Sequence, residues 1–294
     1  MSVKKIAIIG VGLIGGSLGK ALKKAGVRNP KVKITGIGRN IEKLKLAKKL
    51  NAIDDFTLDY KEGVKDADII VLCTPVDNIV PFFEKILPHL KNNAIVTDAG
   101  SVKTSIVTGI NKILIKSRKK IHFIGSHPLA GSEKTGVNHA AADLYKNAAV
   151  VLTPLKTDDK LAAGEIACLW ESTGAKIFFM TPQDHDSVVS ATSHLPHVLS
   201  GALVEIVNRK NIGNGKTAAL LAGSFRDITR ISDSDPGIWS AISYANKKEL
   251  NKAISEYIGI LKKVQSELNN TQKLHKYFTD SRQNRCQLLK SNRN

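Results

Sequence analysis

The stretch KIAIIGVGLIGGSLGKAL, residues 5–22, decides the fold. An apolar run, Ile6–Ile9, leads directly into Gly10-Val11-Gly12-Leu13-Ile14-Gly15, and Ile14–Ala25 then shows apolar residues at helical spacing. Three glycines spaced this way are weak evidence alone, but between a strand and a helix they are specific for a dinucleotide-binding turn. Gly10 permits the tight turn, Gly12 lets the backbone approach a pyrophosphate, and Gly15 lets helix and strand pack closely. The phosphates then lie against the helix N-terminus at Leu13, Ile14 and Gly15, where free N–H groups and the helix dipole favour anions.

Outward from this motif, short apolar runs alternate with helical patterns, as βαβ units do. The runs are Ile6–Ile9, Val32–Ile37, Ile69–Leu72, Ala94–Thr97, His122–Ile124, Ala148–Leu152 and Lys176–Phe179. Several are almost continuously apolar, which predicts strands of a parallel sheet covered on both faces. From Gln183 the strand signal stops, and His185–Val207 reads as one long helix kinked at Pro196. Further helical runs follow, including the amphipathic Glu249–Leu268. The expected architecture is α/β: an N-terminal Rossmann-type dinucleotide-binding domain, residues 1–181, followed by an all-α C-terminal domain, residues 182–294. So much apolar helix surface needs another surface to pack on, and a homodimer built from the helical half is expected.

Composition narrows the function classes. Of 294 residues 42% are hydrophobic, enough for a core, while aromatic residues make up only 5%, too few for a base-stacking surface. The net charge of +18 comes from lysines spread along the chain, without a basic stripe, so no nucleic-acid partner is expected. The same positive field would attract an anionic substrate and a phosphate-bearing cofactor. The three cysteines, Cys73, Cys168 and Cys286, show no CxxC spacing, which predicts a reduced, cytoplasmic protein without a metal site. Met1–Lys5 leads straight into a strand, so no signal peptide is expected. No uncharged apolar run approaches the roughly 18 residues of a membrane span.

The second strand bears on the cofactor. It ends Ile37-Gly38-Arg39-Asn40, without the Asp or Glu that usually accepts from the ribose hydroxyls of NAD. A guanidinium in place of a carboxylate suits a 2′-phosphate, so Arg39 favours NADP over NAD. Ligands of open α/β sheets bind at the carboxyl ends of strands. Thr74 and Pro75, after the next core strand, and the turn Asp98-Ala99-Gly100-Ser101-Val102-Lys103 should therefore border the cofactor. On residue type alone Ser101 either caps the following helix or contacts a ligand, with Asp98 steadying the loop. The next strand opens into the loop GSHPLAGSEKTG, residues 125–136, in which His127 is a candidate general base near neutral pH.

With these segments on view, the chain resembles the prephenate/arogenate dehydrogenase family over nearly its full length. The resemblance rests on the glycine-rich opening, the DAGSVK turn, the HPLAG loop, SHLPH at Ser193–His197 and SFRDITRISDSDPGIW at Ser224–Trp239. It implies oxidative decarboxylation of prephenate, or alternatively of arogenate, on the tyrosine branch. His127 would accept the proton of the ring C4 hydroxyl as hydride leaves C4, and Ser101 would bond the same hydroxyl and orient His127. Arg230 would bind a substrate carboxylate, Glu133 would form a polar gate with Arg226 and Asp227, and His197 would contact the side-chain keto group. Arg226 and Asp227 could equally be a structural ion pair, His194 a satisfied buried histidine, and Trp239 interface packing. The spacing of His194 and His197, with no carboxylate partner nearby, makes a weak zinc site. Arg39 departs from the NAD-type members, and for a chain read as ending at Asn294 neither the regulatory nor the mutase domain that many members carry is expected.

Overall fold

The structure is a computed structural model, described here for residues 5–26, 32–132, 134–155, 158–210 and 216–291. Eight strands form one sheet: β1 (Lys5–Ile9), β2 (Lys33–Ile37), β3 (Asp55–Thr57), β4 (Ile69–Leu72), β5 (Ile95–Asp98), β6 (His122–Pro128), β7 (Ala149–Thr153) and β8 (Lys176–Phe179). Their order is β3-β2-β1-β4-β5-β6-β7-β8. The chain leaves β1 for β2 on one side and returns to β4 on the other, so the crevice between the carboxyl ends of β1 and β4 is the switch point where such sheets bind ligands.

Alternation along the strands explains the layers. Ile6 and Ile8 of β1 and Val71 of β4 join one apolar core, while Ala7, Ile9 and Leu72 join the other. The first core is closed by α1 (Leu13–Lys24), α2 (Ile41–Lys49) and later by α6 (Lys160–Glu171). The second is closed by α3 (Tyr60–Val64), α4 (Val76–Ile86) and α5 (Thr104–Lys116). Both faces are covered, as the continuous apolar runs predict.

Two features depart from the expected parallel sheet. β3 is an additional three-residue edge strand, too short and too polar to show as an apolar run. β7 pairs antiparallel with β6 in the register His127↔Val151, and β8 runs parallel to β7. The cause lies in the connections. Residues 129–148 contain only a single 3-10 turn, Val137–His139, among the described residues, so no crossover helix returns the chain for a parallel pairing. α6 then supplies the crossover from β7 to β8.

After β8 the chain is helical: α7 (Pro182–Val189), α8 (Leu195–Arg209), α9 (Lys216–Ala219), α10 (Gly223–Thr229) and α11 (Pro236–Ala245). The expected single helix is interrupted by a π-helical turn, Ser190–His194, that ends two residues before Pro196. Proline lacks the N–H and crowds the carbonyl four residues back, so the chain widens there. These elements belong to one compact unit, Met1–Lys247. A second unit, Lys248–Asn294, consists of most of α12 (Lys247–Ser266) and of α13 (Thr271–Ser291). No described helix is long and apolar enough to cross a membrane.

Trp170 on α6 is fully buried, packs edge-on against Tyr145 at 5.2 Å and donates its Nε1–H to Ser126 Oγ at 3.1 Å. Tyr145 in turn donates its hydroxyl to Ile14 O at 2.6 Å, which braces the glycine turn. Trp170→Ala should lower the unfolding free energy by about 3–5 kcal/mol in a denaturant titration. Leu161→Ala on the same helix, where Leu161 is 80% exposed, should change it by less than about 0.5 kcal/mol.

Candidate active site

The glycine turn has the geometry that its spacing demands. Gly10 has φ +92°, and a Cβ there would stand 2.5 Å from the carbonyl oxygen of Cys73. A Cβ on Gly15 would stand 2.4 Å from the carbonyl oxygen of Gly10 and 2.8 Å from Ile8 Cγ2. A Cβ on Gly12 would meet nothing within 4 Å. Two glycines are thus required by the protein's own packing, and the third leaves open space above the start of α1. No acidic residue stands in the first turn of α1 to compete for an anion. Beside this turn, Thr74 Oγ1 is buried without a hydrogen-bond partner among the described residues, a hydroxyl left for something outside the chain. Burial pushes the neighbouring Cys73 thiol up to about 12, so it stays protonated and inert. These residues fit a dinucleotide.

A cavity of about 790 Å³ runs from Gly10, Gly12, Leu13, Ile14 and Gly15 past Ser101 and His127 to His197, Arg230 and Trp239. The glycine turn and the candidate chemistry residues therefore share one space. Arg39 is exposed in the β2–α2 connection and does not line the cavity, and neither do Thr74 and Pro75 at the carboxyl end of β4. Arg226 and Asp227 are exposed on α10, apart from the cavity lining and not paired with each other. Glu133 lies outside the described residues.

His127 stands near the end of β6, buried to 8% exposure. Its Nδ1 lies 2.8 Å from His185 Nε2, and His185 Nδ1 lies 2.8 Å from Asp186 Oδ1. Asp186 also accepts the main-chain N–H groups of Lys103 and Thr104, each at 2.8 Å, at the start of α5. The partner that holds the His127 ring is therefore His185, not Ser101. Ser101 is not a helix cap either, because α5 begins at Thr104 and its first N–H groups are taken by Asp186. Asp98 does steady its loop, accepting from Gly100 N at 2.9 Å and from Ser126 N at 3.1 Å.

Beneath His127 lies a buried ion pair. Lys103 and Asp98, both 0% exposed, are bonded to each other, and Lys103 Nζ also donates to Ser126 O at 2.7 Å. Burial lowers the Lys103 pKa, with Asp98 opposing. Burial, and then the positive charges that His185, Lys103 and His194 carry or can carry, hold His127 well below the ordinary imidazole value of 6.5. Burial pushes Asp186 up, but hydrogen bonds from His185 and from Lys103 and Thr104 outweigh it and hold the carboxyl below its usual range.

The helical segment supplies the opposite wall. The π turn and α8 bring Thr192, Ser193 and His197 to the cavity; the 3-10 turn Arg230–Asp233 and α11 bring Arg230, Ile238 and Trp239. His197 donates Nδ1–H to Ser193 O at 3.0 Å and stacks on Trp239, with ring centroids 3.3 Å apart. Its Nε2 is thereby left as an acceptor. Trp239 thus shapes the cavity, where sequence reasoning favoured interface packing. His194 does not face the cavity: it is buried, accepts from Asn246 Nδ2 at 3.1 Å, and burial lowers its pKa to about 4. Sequence reasoning missed His185, Asp186, Asn246 and the interior position of Lys103. The adjacent His-Asp pair at the start of the helical half was their only visible signal.

Comparison with known proteins agrees with this geometry. The chain matches the family descriptions "Prephenate dehydrogenase, nucleotide-binding domain" over residues 18–179 and "Prephenate dehydrogenase, dimerization domain" over residues 181–280. It is 35% identical to prephenate dehydrogenase of Bacillus subtilis, over 93% of this chain and 73% of that one. It is also 35% identical to cyclohexadienyl dehydrogenase of Zymomonas mobilis, over 90% and 88%. Prephenate dehydrogenase of Aquifex aeolicus, solved with hydroxyphenyl propionate and NAD+, superposes with a TM-score of 0.88 at 32% identity, covering 98% of this chain and 99% of that one. Arogenate dehydrogenase of Synechocystis gives 0.82 at 33% identity, covering 97% and 99%. Sequence, fold and the shared cavity agree: this chain belongs to the prephenate dehydrogenase family and is an NAD(P)-dependent oxidoreductase.

Proposed function

We propose that the chain oxidises prephenate to 4-hydroxyphenylpyruvate with loss of CO₂, using NADP in preference to NAD, and that His127 is the general base. The observation that carries this reading is the single cavity in which His127 faces both the glycine turn and Arg230. The nicotinamide, when bound, supplies the hydride acceptor. His127 takes the proton of the ring C4 hydroxyl as hydride leaves C4. The ring carboxylate departs as CO₂, and its bonding pair completes the aromatic ring. His127, neutral because buried, can accept a proton without first losing one. Ser101, on the same wall, orients the hydroxyl, and Arg230 holds a carboxylate. His197 offers Nε2, and Trp239 gives the ring a flat apolar wall. The polar gate expected of Glu133 and Arg226 is not carried into this reading, since Arg226 stands apart from the cavity lining. Arogenate, which carries an amino group in place of the keto group, is the second reading, because the Synechocystis arogenate dehydrogenase superposes nearly as well.

Residues 1–181 hold the cofactor in this reading, and residues 182–294 supply the substrate wall and a homodimer interface. On α8 the apolar Val198, Leu203, Val204 and Ile206 are 36–52% exposed, a surface suited to a second copy. The free cysteines accord with a reducing cytoplasm.

Following NAD(P)H at 340 nm with prephenate or arogenate against NADP or NAD tests substrate and cofactor together. Arg39→Ala should weaken NADP about 10- to 100-fold and NAD hardly at all, as loss of a charged hydrogen bond requires; equal losses overturn the 2′-phosphate assignment. Gly38→Asp should shift preference towards NAD, and it fits sterically, since a Cβ there meets Leu44 only at 3.4 Å.

The base and the anchor separate by kinetic constant. His127→Asn should lower kcat by roughly 10²–10⁴ with KM little changed, because the base acts in the transition state. Arg230→Ala should mainly raise KM, and lysine at 230 should restore it only in part. The rate should fall as pH drops through the pKa of His127, so the acid limb should lie below pH 6.5 and vanish in His127→Asn. Normal turnover in that variant with the limb intact would remove His127 from the reaction.

A further inference from the structure

Three buried side chains stand in line behind the cavity: His127 at 8%, His185 at 0% and Asp186 at 2% exposure. They are joined by two contacts of 2.8 Å, Nδ1 to Nε2 and Nδ1 to Oδ1. We propose that Asp186 and His185 are positioning residues that fix His127 in the tautomer with its proton on Nδ1, leaving Nε2 bare toward the substrate. The proposal deepens the reading of His127 as base and depends on it.

The direction of each hydrogen bond follows from what each atom can do. An ionised carboxylate only accepts, so the contact between Asp186 Oδ1 and His185 requires the proton on His185 Nδ1. A neutral His185 then has only a lone pair at Nε2. The contact with His127 is satisfied only if His127 Nδ1 carries the proton. Its other nitrogen, Nε2, must be unprotonated, which is the form a base requires. The chain is anchored beyond reach of water. Asp186 takes the first N–H groups of α5 from Lys103 and Thr104, and Asn246 Nδ2 holds the Asp186 carbonyl at 2.9 Å.

The reverse arrangement would put a proton on both nitrogens of His185, make His127 Nδ1 the acceptor and leave the His127 proton on Nε2. It would place a second positive charge in a pocket that already holds the Lys103 ammonium on one side and His194 on the other, with Asp98 committed to Lys103. The groups facing His127 are His185 from α7, His194 from the π turn and Lys103 from the turn before α5, each of which disfavours added positive charge there. The Asp186 carboxylate would favour it, but its oxygens already accept from Lys103 N and Thr104 N. When Nε2 takes the substrate proton, the Nδ1–H···Nε2 bond becomes charge-assisted and strengthens as the imidazolium forms. No second proton needs to move: the hydroxyl proton resides on His127 Nε2, and Nδ1–H remains where it was.

The test has two arms. In histidine-¹⁵N-labelled wild-type protein at pH 7.5, long-range ¹H–¹⁵N correlation should show His127 protonated at Nδ1 and bare at Nε2, with the signals assigned by their loss in His127→Asn. The opposite tautomer overturns the proposal, whatever the kinetics show. In the second arm, His185→Leu removes the acceptor, whereas His185→Gln puts an amide oxygen near the place of Nε2. His185→Leu should lower kcat about 10- to 100-fold with KM within about twofold, and His185→Gln should stay within about fivefold of wild type. A purely structural role would not give this split between kcat and KM or the rescue by glutamine. If His127→Asn abolishes turnover while His185→Leu keeps wild-type kcat, the positioning chain is refuted and the base stands. If His127→Asn retains turnover, the base reading itself fails. If His185→Leu does not fold, the tautomer measurement decides.

Discussion

A carboxylate that is 2% exposed, as Asp186 is, persists in ionised form only where its lone pairs are filled by donors. Here the donors come from both halves of the compact unit around it. Two are main-chain N–H groups at the start of α5, among the sheet-associated elements, and the third is His185, which follows the last strand. The start of α5 is therefore capped by a residue 82 positions further along the chain. The arrangement couples helix termination to the cavity. The turn bearing Ser101 ends where α5 begins, and the ring of His127 rests on the residue preceding that carboxylate. Asn246, bonded to both the Asp186 carbonyl and His194, extends the same constraint to the end of α11.

The second buried charge works differently. A lysine with 0% exposure is costly, and a buried pair such as Lys103–Asp98 is weak evidence for stability, since well-packed apolar residues often do as well. What apolar residues could not do is hold three main-chain groups together. Asp98 accepts from Gly100 N and Ser126 N, and Lys103 donates to Ser126 O, so the ends of β5 and β6 are locked side by side one residue before His127. The ammonium also helps hold His127 neutral. The same pair thus helps to fix the position of His127 and, after burial and His185, adds to what keeps it unprotonated.

What could be read in the sequence follows from the range of the forces involved. The dinucleotide turn was legible because a glycine with positive φ, and a glycine where a Cβ would strike backbone, are local requirements written in adjacent residues. The covered strands were legible because burial on both faces leaves a continuous apolar run. β3 was not, being three half-buried residues at a sheet edge. The reversal at β7 was not, because strand direction is decided by what the connection lacks. The break before Pro196 was anticipated as a kink, but not its form as a π turn, Ser190–His194. His185 and Asp186 were silent for a different reason. Their partners lie 58 and 82–83 positions away, and nothing local distinguishes a functional His-Asp pair from a solvated one.

The proposed cofactor preference rests on the few groups near the end of β2. Asn40 would be the nearest substitute for the missing carboxylate, but its Oδ1 is occupied in capping α2 through Lys43 N at 3.0 Å. Glu42, the acidic residue in the first turn of α2, is paired with Lys45 at 3.0 Å. Both groups already have a partner within α2, while the exposed guanidinium of Arg39 has no hydrogen-bond or ion-pair partner among the described residues. A bare cation with no acceptor beside it is poorly suited to a diol and well suited to a phosphate, since a guanidinium offers paired donors and no acceptor. The proposed preference for NADP therefore rests on how the neighbouring polar groups are already engaged as well as on the absence of one acidic residue.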